Sequence, residues 1–569
     1  MRTSVISLLI LLIVANFQLK ALEPIINYGD FPQNRLSANT WQYFEWDSTG
    51  VWETIDVTTR GITPGSTVDI GPLVNAIIES GSNKRILKFP AGTYQIKTSI
   101  NISKSDIQII GEGSTTRFML VGGANPSKIF CNGSRTGEDY RLSVDAKRGD
   151  GVATFTSASA FNVGDYFIIY QAGSVTRAGA SGDETQIFKV LAKSGNTLTL
   201  DMKFGIPFNA ANARIERIGY KRNIKLHNFY IEMTTVPTVD ATSIVFNVVQ
   251  NVEISKIESN KNLVGHITVF RGREVVIRDN NVYGNYGKNT SGGYQYGYTF
   301  NFSTHCMMIN NRTANLRHHY VTQFGTNHCI IAYNRAEAPY NHYADLGQHN
   351  SKGCHNNLWE GNFGSEIFDD PNPLKSWGTR YTMWFRNHAL SKVGSENEYV
   401  ENMNIIANEL KGGTDAIKKG APGKYTFSGA NIVNINSEGG TGTIIWDNLP
   451  VNAKLPPSMF LDTKPTYVKR WPLYGPGTVT TTGVTKLAEE KKISIYPNPV
   501  TNKNFSVKYN NISVRSIAIK SINGMEVYKN KVTPNTSVLI IENNFANGMY
   551  IVLITDENNK IYSDKLIIR

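Results

Sequence analysis

Eight of the ten histidines in the chain lie between residues 305 and 388: His305, His318, His319, His328, His342, His349, His355 and His388. Imidazole can take and give a proton near neutrality, so such a concentration points to acid–base chemistry or to ligation. Within it, Asn315-Leu316-Arg317-His318-His319 carries three groups able to hold positive charge, with Arg317 and His319 on one face if the segment is extended. Arg317 could neutralise a carboxylate or act as a base while His319 or His318 relays the proton, with His349 a weaker candidate; it could equally be held by a neighbouring carboxylate. Further on, Asp345, Glu360, Glu366, Asp369 and Asp370 supply acids, the last two followed by Pro371-Asn372-Pro373, which must leave a strand. Asp369 and Asp370 could be solvated turn residues, calcium ligands or part of a hydrolytic carboxylate pair.

Cys306, Cys329 and Cys354 are 23 and 25 residues apart, the spacing of one position repeated on three stacked coils. Parallel side chains in such a stack do not point at one another, so a buried, reduced ladder is expected, with Cys131 unpaired elsewhere. Strand side chains alternate, so His305, His328 and His355, each adjoining one of these cysteines, should project from a common outer face. There they could form a polar stack, bind sugar or, less readily, hold zinc.

The elements that would position these groups are repetitive. Short β-branched and aromatic segments recur, each closed by asparagine: Asn228, Asn280, Asn311, Asn334, Asn362, Asn387 and Asn408. From Asn311 onward the closing residues are 23, 28, 25 and 21 apart, about one β-solenoid coil each. Asn suits the corners, since it tolerates left-handed backbone and can hydrogen-bond along the stack. Upstream, Asp69 to Ile78 has helical spacing and leads into Phe89-Pro90-Ala91-Gly92-Thr93-Tyr94 and Ile107-Gln108-Ile109-Ile110-Gly111-Glu112-Gly113. This stretch resembles the first coils of the pectate-lyase-like superfamily, which implies an all-β, right-handed, single-stranded parallel β-helix.

Two segments interrupt the repeat. Residues 136–216 read as a small β insert, its short strands divided by Gly, Ser and Asn. Tyr283 to Tyr298 reads as a long loop, in which Tyr294, Tyr296 and Tyr298 could be surface residues or sugar platforms. The solenoid should close around Trp471-Pro472-Leu473-Tyr474-Gly475-Pro476, before a Thr/Gly-rich linker. Ile493-Ser494-Ile495-Tyr496-Pro497-Asn498-Pro499, the turn Asn523-Gly524, Asn547-Gly548-Met549-Tyr550 and the final Lys565-Leu566-Ile567-Ile568-Arg569 mark a small β-sandwich. This module resembles the type A C-terminal sorting domain of the Bacteroidetes type IX secretion system, which implies export and a partner in that machinery.

The implied organisation is a signal peptide (1–21), an N-terminal cap with first coils (22–135), the insert (136–216), the main β-helix with its groove (217–477), a linker (478–490) and the sorting domain (491–569). Arg2 and the apolar run Val5 to Val14 carry the signal-peptide reading. At 569 residues, with 40% hydrophobic and 18% charged positions, 49 Gly and 27 Tyr, the composition leans towards β structure and away from coiled coil or disorder. The net charge of +12 does not point to nucleic acid, because only +4 falls on residues 22–490.

Asn315 to His319, with Asn327 to Asn334, is locally similar to the alginate lyase and chondroitinase B family. That resemblance implies an exported polysaccharide lyase acting on a uronate-containing glycan, although the family's lysine motif is not recognisable. A glycoside hydrolase using carboxylates from 345–370, or a non-catalytic carbohydrate-binding or adhesive solenoid, would fit the same scaffold. A monomer is expected, secreted or held at the cell surface, with calcium as the cofactor its acids could hold.

Overall fold

The computed structural model describes residues 37–476 apart from 38, 48, 82–83, 138, 173–182, 288–293, 339–345, 349–352, 370–378, 396–399, 421–425, 450, 452 and 454. Beyond these it describes 493–568 apart from 497–499, 501–503, 510–513, 522–524, 533–537 and 558–560. The expected signal peptide and linker, the Asn523-Gly524 turn, His342, Asp345, His349 and Asp370 lie outside the described residues. The chain divides into two compact units, Met1–Val479 and Thr480–Arg569.

The first unit is a parallel β-solenoid of about twelve turns. Each turn contributes to three faces. The first runs from Glu53–Asp56 through Arg273–Arg278, Met307–Ile309, Ile330–Ala332 and Leu358–Glu360 to Phe427–Gly429. The second carries Asn281–Asn285, Arg312–Ala314 and Arg335–Glu337. The third carries Tyr296–Asn301, His318–Gln323 and Leu346–Gln348, followed by the far ends of Phe363–Asp369 and His388–Ser395. Inside, like sits on like: Ile254, Ile277, Met308, Ile331, Trp359, Trp384 and Ile405 form one in-register column of the first face, all fully buried. Each coil hides its apolar residues only because the next coil covers them. The helix Gly71–Glu79, started by Pro72 and burying Val74, Ile77 and Ile78, packs against the beginning of the solenoid.

The asparagine repeat has a direct structural basis from Asn280 onward. Asn280, Asn311, Asn334, Asn362, Asn387, Asn408 and Asn431 stack at the corner between the first and second faces, each Nδ2 donating to the next Oδ1 at 2.9 to 3.1 Å. Each amide also donates to a carbonyl, as Asn334 does to Met308 O at 2.9 Å, so its polar atoms are satisfied without water. The left-handed residue of the corner is the preceding one, such as Asn310 or Tyr333, at φ 54° and 57°. Asn228 differs: it is itself left-handed, at φ 64°, and stands outside the ladder.

The cysteine ladder is shorter than its spacing predicts. Cys306 and Cys329 precede the register partners Met307 and Ile330, but the next coil has Asn357 there, whose Oδ1 accepts from Cys329 N at 3.0 Å. That coil takes 28 residues, as the step from Asn334 to Asn362 shows, so Cys354 falls three positions early. All four cysteines are buried and free.

The insert is a six-stranded antiparallel sheet in the order Ser134–Arg135, Ala213–Gly219, Tyr166–Ala172, Asp183–Ser194, Thr197–Leu200, Val152–Thr154. It has a core of its own around Phe155, Phe161, Phe167 and Phe188. The expected long loop from Tyr283 to Tyr298 is instead strand at both ends, Asn281–Asn285 and Tyr296–Asn301. In the second unit, antiparallel sheets of three and four strands enclose Phe505, Val507, Ile517, Ile519, Val552 and Leu566.

Candidate functional site

The third face is where the candidate residues separate into those pointing into the solenoid core and those on its outer side, the latter also largely buried: Arg317, His318 and Glu366 are 8%, 1% and 7% exposed. Tyr298, Tyr320, Leu346, Ile367 and Val393 form one in-register column and are fully buried. Tyr298, expected as a sugar platform, is therefore a core residue stacked on Tyr320 with ring centroids 5.2 Å apart. At the start of the face, Tyr296 pairs with His318 and Tyr298 with Tyr320, which places Gly297 beside His319. A Cβ on Gly297 would stand 2.4 Å from His319 O, so only glycine permits that approach.

The close approach turns His319 inward. Its Nδ1 shares a hydrogen bond with Thr313 Oγ1 at 2.6 Å, and burial lowers its pKa to about 3. This corrects the expectation that His319 shares a face with Arg317: a neutral imidazole sealed in the core cannot relay protons to a surface ligand. His318, also buried at 1% exposure, takes the place His319 was expected to fill on the outer side of the strand. It stacks on Tyr296 with centroids 4.9 Å apart and planes 27° apart. Leu316 is in the core, and alternation puts Arg317 on the outside, with its backbone N–H and that of His318 donating to Gln295 O at 3.2 and 3.1 Å. Tyr294, next to Gln295, is half-buried at the same corner.

Two coils beyond His318, Glu366 reaches the outside of the same face, in register with Lys392 on the following coil. Lys392 Nζ lies 3.7 Å from Glu366 Oε1. Lys392 was missed from sequence because it belongs to no motif; counting one coil on from Glu366 would have found it. At about 4.8 Å per coil, Tyr296 to Lys392 spans about 20 Å along the face.

The other acids are spent elsewhere. Asp369 points into the solenoid, where Thr379 Oγ1 and Ser395 Oγ donate to Oδ2 at 3.0 and 3.2 Å. Oδ2 is thus held by two hydroxyls, and the residue is fully buried. Glu360 lies on the outside of the first face beneath the segment 456–460, accepting from Tyr333 OH at 2.7 Å and Met459 N at 2.8 Å. Burial pushes its pKa up to about 7. Among the described residues no group of three or more His, Cys, Asp and Glu is arranged to hold a metal ion.

The expected histidine face is largely covered. His328 and His355 are buried, their rings 5.6 Å apart, where the insert docks. His355 Nε2 hydrogen-bonds Thr185 O at 3.0 Å, Asn327 Nδ2 donates to the same carbonyl at 2.7 Å, and Asn39 Nδ2 meets His328 Nε2 at 2.9 Å. Arg273 and Arg380 complete the seam, to Ile187 O at 2.7 Å and Glu184 Oε1 at 2.9 Å. His305, half-buried against Phe44 at 4.7 Å, lies at its edge. Strand alternation predicted the outward direction but not the domain that covers it.

Residues 494–569 match the family described as secretion system C-terminal sorting domain. The chain ends in a type IX sorting domain. The protein is accordingly secreted or held at the cell surface. Ulvan lyase NLR42 of Nonlabens ulvanivorans is 40% identical over 78 residues, which are 13% of this chain and 14% of that protein. The chain thus matches about a seventh of that relative's length. Among solved structures, the tailspike gp61 of Pseudomonas phage phi297 aligns over 71% of this chain and 83% of its own with a TM-score of 0.50 at 14% identity. The tailspike gp49 of Pseudomonas phage LKA1 aligns over 64% and 56%, with a TM-score of 0.43 at 16% identity. At 14% identity the likeness to gp61 is one of fold.

Proposed function

We propose that the protein is an exported enzyme that cleaves a uronate-containing polysaccharide by β-elimination on the third face. The observation that carries this reading is the distribution of charge. Arg317, His318 on Tyr296, and the Glu366–Lys392 pair share the outer side of one face, where only Lys392 is more than 9% exposed, whereas Glu360 and Asp369 are committed to internal bonds. A hydrolase needs two carboxylates facing one bond, and among the described residues this face presents Glu366 alone from the acidic stretch.

Elimination begins with removal of the proton at C5, whose bonding electrons move into the new C4–C5 double bond as the C4–O bond breaks. The transition state gathers charge on the uronate carboxylate, and the leaving oxygen requires a proton. Arg317 is assigned the carboxylate, His318 the proton transfer, and Tyr296 with Tyr294 the sugar face. Lys392, held by Glu366, is a second cation for the adjoining uronate. The ulvan lyase similarity is compatible with this substrate class, but its 78 residues are the length of a sorting domain and support the export route more than the chemistry.

The test is a product assay on the exported protein against alginate, pectin, ulvan and glycosaminoglycans. Ultraviolet absorbance from an unsaturated uronate supports elimination. New reducing ends without absorbance would instead indicate hydrolysis, and retention of glycan without either product would indicate binding alone.

A further inference from the structure

A second cleft, of about 820 Å³, opens at the corner between the first and second faces, away from the residues assigned to elimination. Its volume is in the range of sites that hold small ligands or a few sugar units. Three distant parts of the chain build it: Tyr43 from the N-terminal segment, Lys256, Arg278 and Asp279 from neighbouring coils, and Leu461, Thr463, Pro465 and Tyr467 from the segment closing the solenoid. It exists only in the folded protein.

Its chemistry is that of a glycan site. Tyr43 and Tyr467 are 38% and 41% exposed, although the solenoid buries most of its large side chains. An exposed aromatic ring bordered by polar groups presents a flat apolar surface to the C–H face of a sugar. Tyr467 is held edge-on to Tyr333, ring centroids 5.9 Å apart, so its orientation is fixed before any ligand arrives. Asn310 Nδ2 donates to Asp279 Oδ1 at 2.7 Å, leaving the amide oxygen and the second carboxylate oxygen for sugar hydroxyls. Arg278 is balanced by Glu253 at 3.0 Å and Glu45 at 3.4 Å, whereas Lys256 is exposed and makes no salt bridge among the described residues. Lys256 thus supplies a cation for an acidic group on the ligand. Among the described lining residues Asp279 is the one carboxylate, where a hydrolytic pair needs two, so retention without turnover is the function that fits.

We propose that the cleft between Tyr43 and Tyr467 is a non-catalytic binding site for an anionic polysaccharide, which holds the protein on its polymer while the third face acts. Carboxylate and sulfate would satisfy Lys256 alike, so the test compares both.

Migration of the exported protein is measured in native gels containing polygalacturonate, dextran sulfate or neutral dextran. Retardation by polygalacturonate or dextran sulfate, and not by dextran, is expected, the two polymers separating carboxylate from sulfate recognition. The Tyr43→Ala/Tyr467→Ala variant should weaken that retardation about tenfold, and Lys256→Glu should do so without touching either ring. Circular dichroism and the thermal transition check that both variants fold. Arg317→Ala should lose turnover and keep the larger part of the retardation, so loss of turnover and loss of this site are read separately. Retardation unchanged in both cleft variants, or equal in dextran and the charged polymers, would overturn the proposal.

Discussion

His318 lies over Tyr296 with ring centroids 4.9 Å apart, and the two are register partners on adjacent coils. The stack fixes which of two consecutive histidines faces outward. Gly297 lets the backbone close in, His319 drops onto Thr313, and His318 remains on the face with Arg317. His319→Ala should therefore lower stability by about 2 kcal/mol, for a lost buried hydrogen bond and a cavity, while leaving turnover within a few-fold of the parent. Denaturant titration beside a rate measurement checks this; a hundredfold loss of rate at unchanged stability would return His319 to the site.

The asparagine ladder is the solenoid's polar spine, and its middle should be its costliest position. Asn334→Ala removes donors to Asn362 Oδ1 and Met308 O and leaves Asn311 Nδ2 and N–H without their acceptor. A loss of about 3 to 5 kcal/mol is expected in urea unfolding. A loss under about 1 kcal/mol would show that the ladder follows the stack rather than holding it.

Much of this architecture was legible because a solenoid writes its geometry into sequence. The corner asparagines recur since each must meet the next, so the spacing from Asn311 to Asn408 reads directly as a series of coils. The sites were less legible because spacing shows only roughly where a coil passes. Cys354 fell out of the ladder through a coil of 28 residues, and His328 and His355 point outward as alternation requires yet lie beneath a domain more than a hundred residues earlier in the chain. Tyr298 was misplaced because its Gly/Tyr/Asn-rich segment reads as loop although it enters a strand, and His319 because alternation fails at the corner where Gly297 and His319 pass each other.

The seam between insert and solenoid should open on its own. Glu184 is buried and paired with Arg380 at 2.9 Å, with Gln171 Nε2 its other donor at 3.1 Å. Arg380→Ala strands that carboxylate, at about 3 kcal/mol. Hydrogen exchange should quicken in Asp183–Ser194 while the asparagine corners stay protected. Uniform quickening would mean that insert and solenoid unfold as one.

Acid should weaken the first unit. Burial lowers the pKa values of His319 and His355 to about 3 and of His266 to about 4, from 6.5. The unfolded chain binds these protons first, so the contribution is complete above pH 6.5 and falls away as pH drops towards 3. Glu360 acts in the opposite sense: its pKa, raised from 4.5 to about 7, gives stability that is present below 4.5 and lost as pH rises through 7. Three histidines outweigh one carboxyl, so the thermal midpoint should fall between pH 6.5 and 4, and less steeply in His355→Asn. A midpoint that rises on acidification would contradict the burial of these rings.

The central claim is that Arg317 and His318 carry out elimination on the third face. Its most direct test is the initial rate of ultraviolet absorbance on the polymer found by the substrate screen, for Arg317→Ala and His318→Ala beside the parent, each shown to be folded by circular dichroism. Both variants should lose about 10² or more in rate, the loss expected when a positioned acid–base or electrostatic group is removed. Parent-like rates in both would place the chemistry elsewhere on the solenoid.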